Sequence, residues 1–212
     1  MMLLKTLGGT LIAVFSVSFV SHLIYDYYRR KRQRRVTRKE VNEVIMFSYG
    51  ASELTKSKYS RCFVTPSMDR LLYYLNAPRH NIDICMFLIT NSDVSNVLMK
   101  LHHRGIKIRL IIDADMVYSQ GSSVKRLQKY GIPVRWMKSV NIMHHKFSLV
   151  DTLVDNKVRA PFVIMGSLNW TNQALNGNWE DVTVTSQRDI VEQYRAEFER
   201  LWILFKPIVD FT

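Results

Sequence analysis

The 212-residue chain is 47% hydrophobic and carries a formal net charge of +12. It is too apolar for an intrinsically disordered chain and long enough for one domain with a buried core. Its two cysteines, Cys62 and Cys85, exclude a disulfide framework and fit a reducing compartment. Residues 6–25, TLGGTLIAVFSVSFVSHLIY, contain no Asp, Glu, Lys or Arg. A helix of about 20 such residues spans a bilayer core of about 30 Å. Tyr25, Tyr27 and Tyr28 follow, where an interfacial aromatic belt sits. Residues 29–39, RRKRQRRVTRK, then hold eight Lys or Arg and no acid. Positive charge C-terminal to a span predicts that this side stays in the cytosol. The basic run directly after the apolar one argues against a cleaved secretory signal, and the long apolar core against a mitochondrial presequence. The run reads as a topology determinant that touches anionic headgroups, rather than a nuclear signal or RNA tail. Without it the formal charge falls to +4, so the high pI is weak ground for nucleic-acid binding. The expected organisation is a membrane anchor at 1–28, a basic juxtamembrane segment at 29–39 and a folded domain at 40–212.

Residues 40–66 read as a linker or an irregular surface loop. Beyond Pro66 the pattern is regular. SMDRLLYYLN reads as a helix capped by Ser67, with Leu71, Leu72 and Leu75 on one face. NIDICMFLIT is a buried strand that takes in Cys85. SDVSNVLMKLHHRG is a helix starting at Ser92 or Asp93 and stopped by Gly105. IKIRLIID is a strand, SSVKRLQKYG a helix closed by Gly131, and IPVRW a short strand. HKFSLVD, PFVIMG and DVTVT are further strands. Residues 188–205 form an amphipathic helix with Ile190, Val191, Tyr194, Phe198, Leu201, Trp202 and Phe205 inward. Strands alternating with helices, then a run of strands, predict an α/β domain with a mixed β-sheet and helices on both faces.

The chemistry concentrates in MHHKFSLVD, residues 143–151. Alternation along a strand puts His144 and Lys146 on one face and His145 on the other. An imidazole beside an ammonium suits a phosphate: the lysine neutralises a non-bridging oxygen, and the histidine attacks phosphorus or moves a proton. Asp151 lies on the other parity and is better placed to hold the strand end. GSLNWT, Gly166 to Thr171, offers backbone N–H groups at a strand end and the Asn169 amide to an anion. Glu180 is a carboxylate that could orient the histidine through its other ring nitrogen. Taken singly, each of these residues reads equally well as an exposed polar position or a turn.

Together they resemble the phospholipase D superfamily, whose signature is His-x-Lys, four residues, Asp, then Gly-Ser-x-Asn. Here that is His144, Lys146, Asp151, Gly166, Ser167 and Asn169, with TLVDNKVRAP as a longer hairpin loop between the halves. With an N-terminal anchor, the chain is similar to the single-motif mitochondrial, or Zucchini-type, branch. The resemblance implies a phospholipase D-like fold and catalysis without cofactor or metal. It implies a homodimer in which His144 of each copy serves as nucleophile and general acid. By the same resemblance Lys146, Ser167 and Asn169 bind phosphate, Glu180 orients His144, and Asp151 gives structural and electrostatic support. His145 matches the family's unconstrained position. The branch commonly carries a small zinc-binding insertion. Here residues 50–66 offer only Cys62, so no zinc is expected there; Cys62 and Cys85 are too far apart to make a zinc site by spacing, and His80, His102 and His103 are the other ligands a site could draw on.

Two substrates follow from the resemblance. One is single-stranded RNA, cut to leave 5′-monophosphate ends at the outer mitochondrial membrane, with piRNA-pathway proteins as partners. The other is cardiolipin, hydrolysed to phosphatidate. Arg79, Arg104, Lys107, Lys125, Arg126, Lys129, Arg135 and Lys138 could line a backbone-tracking groove, or be solvated helix faces. A lipid site needs an apolar channel beside the phosphate pocket. The expectation leans to RNA. A membrane-tethered scaffold with a vestigial site is the third reading, opposed by the complete set of polar site residues.

Overall fold

A computed structural model describes residues 19–29, 39–48, 50, 53–154 and 160–207. The chain divides into two units, Met1–Lys39 and Glu40–Thr212. In the first, residues 19–29 form helix α1, which exposes Phe19, Leu23, Ile24 and Tyr27. No helix among the described residues is long and apolar enough to cross a membrane. Residues 6–18 of the expected span and 30–38 of the basic run lie outside the described residues.

The second unit opens with β1 (Asn42–Phe47), the short hairpin β2 (Thr55–Lys56) and β3 (Phe63–Val64), and helix α2 (Pro66–Leu75). Then come β4 (Asn81–Met86), α3 (Ser92–His103), β5 (Lys107–Ile112), α4 (Ala114–Val117), α5 (Val124–Lys129) and β6 (Val134–Trp136). The second half runs β7 (Lys146–Val150), β8 (Phe162–Gly166), α6 (Asn172–Gly177), β9 (Glu180–Thr185), α7 (Arg188–Leu204) and β10 (Lys206–Pro207). The large sheet has the order β1-β9-β8-β7-β4-β5-β6-β10. Its βαβ part, β4, β5 and β6, is parallel, and the remaining pairings are antiparallel. The expected mixed α/β sheet is therefore present. Central strands β4 and β7 are apolar runs because both of their faces are covered: six of six residues of β4 are buried. One face packs with α2 and α3 in the larger core, and the other with α7.

Three local readings change. Residues 42–47 are not linker. NEVIMF is an edge strand pairing with β9, with Ile45 and Phe47 buried and Val44 and Met46 exposed. Its period of two was legible, but the apolar residues on the outer face hid it. The cap of α2 is Thr65, whose hydroxyl accepts from the Met68 amide, because Pro66 takes the first helical position; Ser67 instead donates to the Met46 carbonyl. The cap of α3 is Asn91, one residue earlier than expected. The long connection between β7 and β8 does join an antiparallel pair, Val150 opposite Phe162.

Helix α7 docks through Val191, Phe198 and Leu201 and through one charged network. Arg109 on β5 forks onto Asp83 on β4 (2.7 and 2.9 Å) and onto Glu199 on α7 (2.7 and 3.2 Å), with Phe198 and Trp202 against its guanidinium. Burial pushes the Asp83 carboxyl above the usual carboxylate range, and the Arg109 fork opposes that shift. Removing Arg109 strands a carboxylate that is 1% exposed. Arg109→Met is therefore expected to cost about 3–5 kcal/mol in urea unfolding, whereas Arg195→Met on the solvent side of α7 should stay within about 0.5 kcal/mol.

Candidate active site

The strand order brings four chain segments to one end of the sheet. Met86 at the end of β4 faces Lys146 at the start of β7, Phe147 faces Met165 near the end of β8, and Gly166 faces Val182 of β9. His144 and Lys146 meet here. His144 is not on the strand, since β7 begins at Lys146. The lysine reaches back instead: its Nζ donates to the His144 carbonyl at 3.0 Å and lies 3.2 and 3.1 Å from the two ring nitrogens. Phe87, one residue beyond β4, sets its ring edge-to-face on the His144 imidazole at 4.8 Å. The backbone before the histidine is fixed by Asp113, whose carboxylate accepts from the Met143 amide at 2.8 Å and also caps α4. Burial holds the Lys146 ammonium below its usual pKa, and the Glu180 charge pulls the other way. His145 turns away as expected, toward Glu197 of α7 at 3.4 Å.

Gly166 and Ser167 do a different job from the one expected. A Cβ on Gly166 would sit 2.1 Å from the Asp181 carbonyl oxygen, so only glycine lets β9 approach. The Ser167 amide is spent on that same carbonyl at 3.1 Å, and is not free for an anion. The Ser167 hydroxyl donates to Glu180 and accepts from the Asp181 amide. Glu180 thus grips Ser167 and the Asn178 amide (2.9 Å) rather than the His144 ring. The physical reason is strand order: β8 lies between β9 and β7. Asn169 sits in a loop clamped to the segment after β4, where Thr90 and Asn91 both donate to the Trp170 carbonyl at 3.0 Å. Its amide oxygen is buried and unpartnered.

Asp151 holds a strand end, as its parity suggested, and so stands apart from the catalytic group. It lies at the opposite end of β7, about 17 Å from Lys146 at about 3.3 Å per residue. Its backbone is left-handed, with φ 56°, and it is 3% exposed. The carboxylate accepts from the amides of Arg79, His80 and Asn81 at 2.8–3.2 Å. It clamps the start of β4 and touches no part of the site.

His144, His145, Lys146 and Gly166 open into a cavity of about 370 Å³, walled also by Phe147, Met165, Asp181, Thr183 and Tyr194. Phe87 and Asp113 were not foreseen. Phe87 had a signal in its place just after a buried strand whose C-terminal end faces the site; Asp113 is an Asx-type cap whose second oxygen happens to reach Met143. No cluster of three or more His, Cys, Asp or Glu among the described residues has metal-site geometry.

A histidine held against a half-buried lysine at an open cavity, beside a closed Gly-Ser turn, is an arrangement that suits an anionic group. The chain belongs to the phospholipase D-like family described as "Cardiolipin synthase, PLD-like domain", which matches residues 71–202. A mitochondrial cardiolipin hydrolase of Chlamydomonas reinhardtii is 39% identical over 66% of this chain, and the match spans 59% of that protein's length. One from Danio rerio is 34% identical over 97% of this chain and 89% of its own. NucT from Helicobacter pylori shares the fold, with a TM-score of 0.65 at 18% identity over 80% of this chain and all of its own.

Asp151→Asn places an NH₂ group among backbone donors. It should lower stability by about 1–3 kcal/mol in urea unfolding, while the folded fraction keeps its turnover number. A turnover loss at full stability would move Asp151 back into the site. Gly166→Ala should lose both stability and turnover, because β9 must shift and takes Glu180 and Ser167 with it.

Proposed function

We propose that the chain is a phosphodiesterase that hydrolyses cardiolipin to phosphatidate at the mitochondrial surface, as a homodimer, through a phosphohistidine on His144. The observation that carries this reading is the His144–Lys146 contact at an open cavity. A ring nitrogen is placed beside a fixed cation, which is what attack on an anionic phosphodiester needs. The relatives named mitochondrial cardiolipin hydrolase supply the substrate and the compartment.

In the proposed sequence, a His144 nitrogen attacks phosphorus. The bond to the leaving glycerol oxygen breaks, and that oxygen takes a proton from the protonated His144 of a second copy. The second imidazole then takes a proton from water, the hydroxide displaces His144 from phosphorus, and both histidines return to their starting states. Lys146 neutralises a non-bridging oxygen throughout. The buried Asn169 amide leaves its NH₂ to face the phosphate, and Glu180 acts through Ser167 to keep that turn in place. The second histidine is assigned to another copy on the resemblance, and the approach of His145 to Glu197 at 3.4 Å supports that assignment.

Single-stranded RNA is the second reading. It is supported by the polar groups on the cavity wall, His144, His145, Lys146, Asp181 and Thr183, which a nucleic-acid backbone can meet. In that case the product ends would be 5′-monophosphates. A role with piRNA-pathway partners rests on the resemblance alone.

Wild type and His144→Asn should be given cardiolipin vesicles and labelled single-stranded RNA side by side. Phosphatidate release by the wild type and none by the variant is the expected result. RNA cleavage without lipid release decides for the second reading, and full activity in the variant sinks both. In co-refolded mixtures of wild type and His144→Asn, activity should fall as the square of the wild-type fraction; a linear fall would make one copy sufficient. The pH profile of kcat/KM should lose activity on the alkaline side below Lys146's ordinary pKa near 10.5. The sign follows from burial: a depressed ammonium loses its proton, and its grip on phosphate, at lower pH than a free lysine.

A further inference from the structure

A second cavity lies at the other end of the sheet. It measures about 460 Å³, and Lys58, Arg79, Lys100 and Arg104 converge on it together with Tyr59 and Tyr73. Its position follows from register. Asn81 pairs with Lys107 and Ile82 with Val150, so Arg79 leads into β4 at the end far from Lys146. Lys100 and Arg104 come from the last turn of α3, and Lys58 from the β2–β3 hairpin.

The terminal carbonyls of α3 account for Lys100 and Arg104 as ordinary complements of a helix C-terminus. They do not account for Lys58 and Arg79, which two other segments bring to the same cavity. None of the four cations forms an ion pair among the described residues. Lys58 rests on the Tyr59 ring with its Nζ 5.0 Å from the centroid. The Asp151 carboxylate, which accepts from the Arg79 backbone amide, is buried and also holds the amides of His80 and Asn81. Four like charges around one cavity repel one another, and an anion seated between them offsets that repulsion. The two tyrosines give the cavity an apolar body with polar tips, the combination found where one side of a ligand is greasy and the other charged.

The chain also enters the second unit at this end. Asn42 at the start of β1 pairs with Thr185 at the end of β9, level with Val163 and far from Glu180. Just before it stand the eight cations of residues 29–39 and the apolar stretch before them. We propose that this cavity binds the phosphate headgroup of an anionic phospholipid at a membrane surface. Lys58, Arg79, Lys100 and Arg104 hold the phosphate, and Tyr59 and Tyr73 lie along the glycerol. The site is separate from the catalytic cavity and does not turn the lipid over.

The test uses the full chain carrying His144→Asn, so that nothing is cleaved. It is placed in nanodiscs of phosphatidylcholine alone or with a minor share of phosphatidylglycerol, and followed by amide hydrogen exchange. Slower exchange at residues 76–80 and 100–104 is expected only with phosphatidylglycerol. Lys100→Ala/Arg104→Ala should remove that protection, while Arg126→Ala/Lys129→Ala on α5 should keep it. Titration with dioctanoyl phosphatidylglycerol should be on the order of thirtyfold weaker in the Lys100/Arg104 pair, at the usual value of one cation near an anionic surface. Equal protection in both nanodiscs overturns the proposal, as does protection that survives the Lys100/Arg104 change. Inorganic phosphate or a short single-stranded RNA protecting the same amides in phosphatidylcholine as strongly as the lipid also overturns it. Because the readout is binding by a catalytically silent chain, it stands or falls apart from the cardiolipin hydrolase reading.

Discussion

The fold hangs on how the two ends of β7 are held. At one end Asp151, in a left-handed turn, gathers three backbone amides from the approach to β4. At the other end Lys146 folds back onto the carbonyl and ring of His144. Between them Phe147 to Val150 are buried among β4, β8 and the helices of both faces. A one-residue slip of a strand packed on both faces would exchange the side chains that meet each face, so its register is fixed by both layers. The clamp at Asp151 therefore fixes the height at which Lys146 emerges, and through it the place of His144. Histidine, lysine and aspartate in this motif are spaced by a strand, and the aspartate acts across its length as an anchor for register.

The second half of the motif works by a similar logic. Gly166 lets β9 come within a distance no side chain would permit. That approach delivers the Asp181 carbonyl to the Ser167 amide and Glu180 to the Ser167 hydroxyl. The residues often thought of as phosphate ligands are here first the fasteners of the turn that carries Asn169. Asn169 itself has a buried oxygen with no partner, a polar cost of about 1–3 kcal/mol that is unexpected in a passive loop. An unpartnered buried oxygen of this kind is consistent with the proposed role of Asn169 at the phosphate.

What could be read in the sequence was whatever is local. The periods of α2, α3 and α7, the apolar runs of β4 and β7, and the spacing of His144, Lys146, Gly166 and Asn169 sit in short windows. The turning of His145 away from Lys146 followed from alternation, even though His144 proved to lie just before the strand. Partner choice could not be read. That Glu180 would meet Ser167 rather than His144 depends on β8 separating β9 from β7, a fact of strand order. β1 was missed because an edge strand with Val44 and Met46 outward lacks the polar face that usually gives one away. The role of Asp151 was half legible: parity put it off the catalytic face, but only the antiparallel pairing of β4 and β7 shows what it holds.

The two ends of the sheet also bear on the choice of substrate. His144 and its cavity open at the end where β4 stops, and the chain enters at the end where β4 starts. Exposed apolar residues mark the catalytic end: Val140, Ile142 and Trp179 stand 100%, 60% and 79% exposed, on the loops leading into Lys146 and Glu180. A rim of that kind suits contact with an acyl layer, and it would stack equally well on bases. The balance between cardiolipin and RNA therefore turns on which surface this rim meets, while the chemistry at His144 is the same for both.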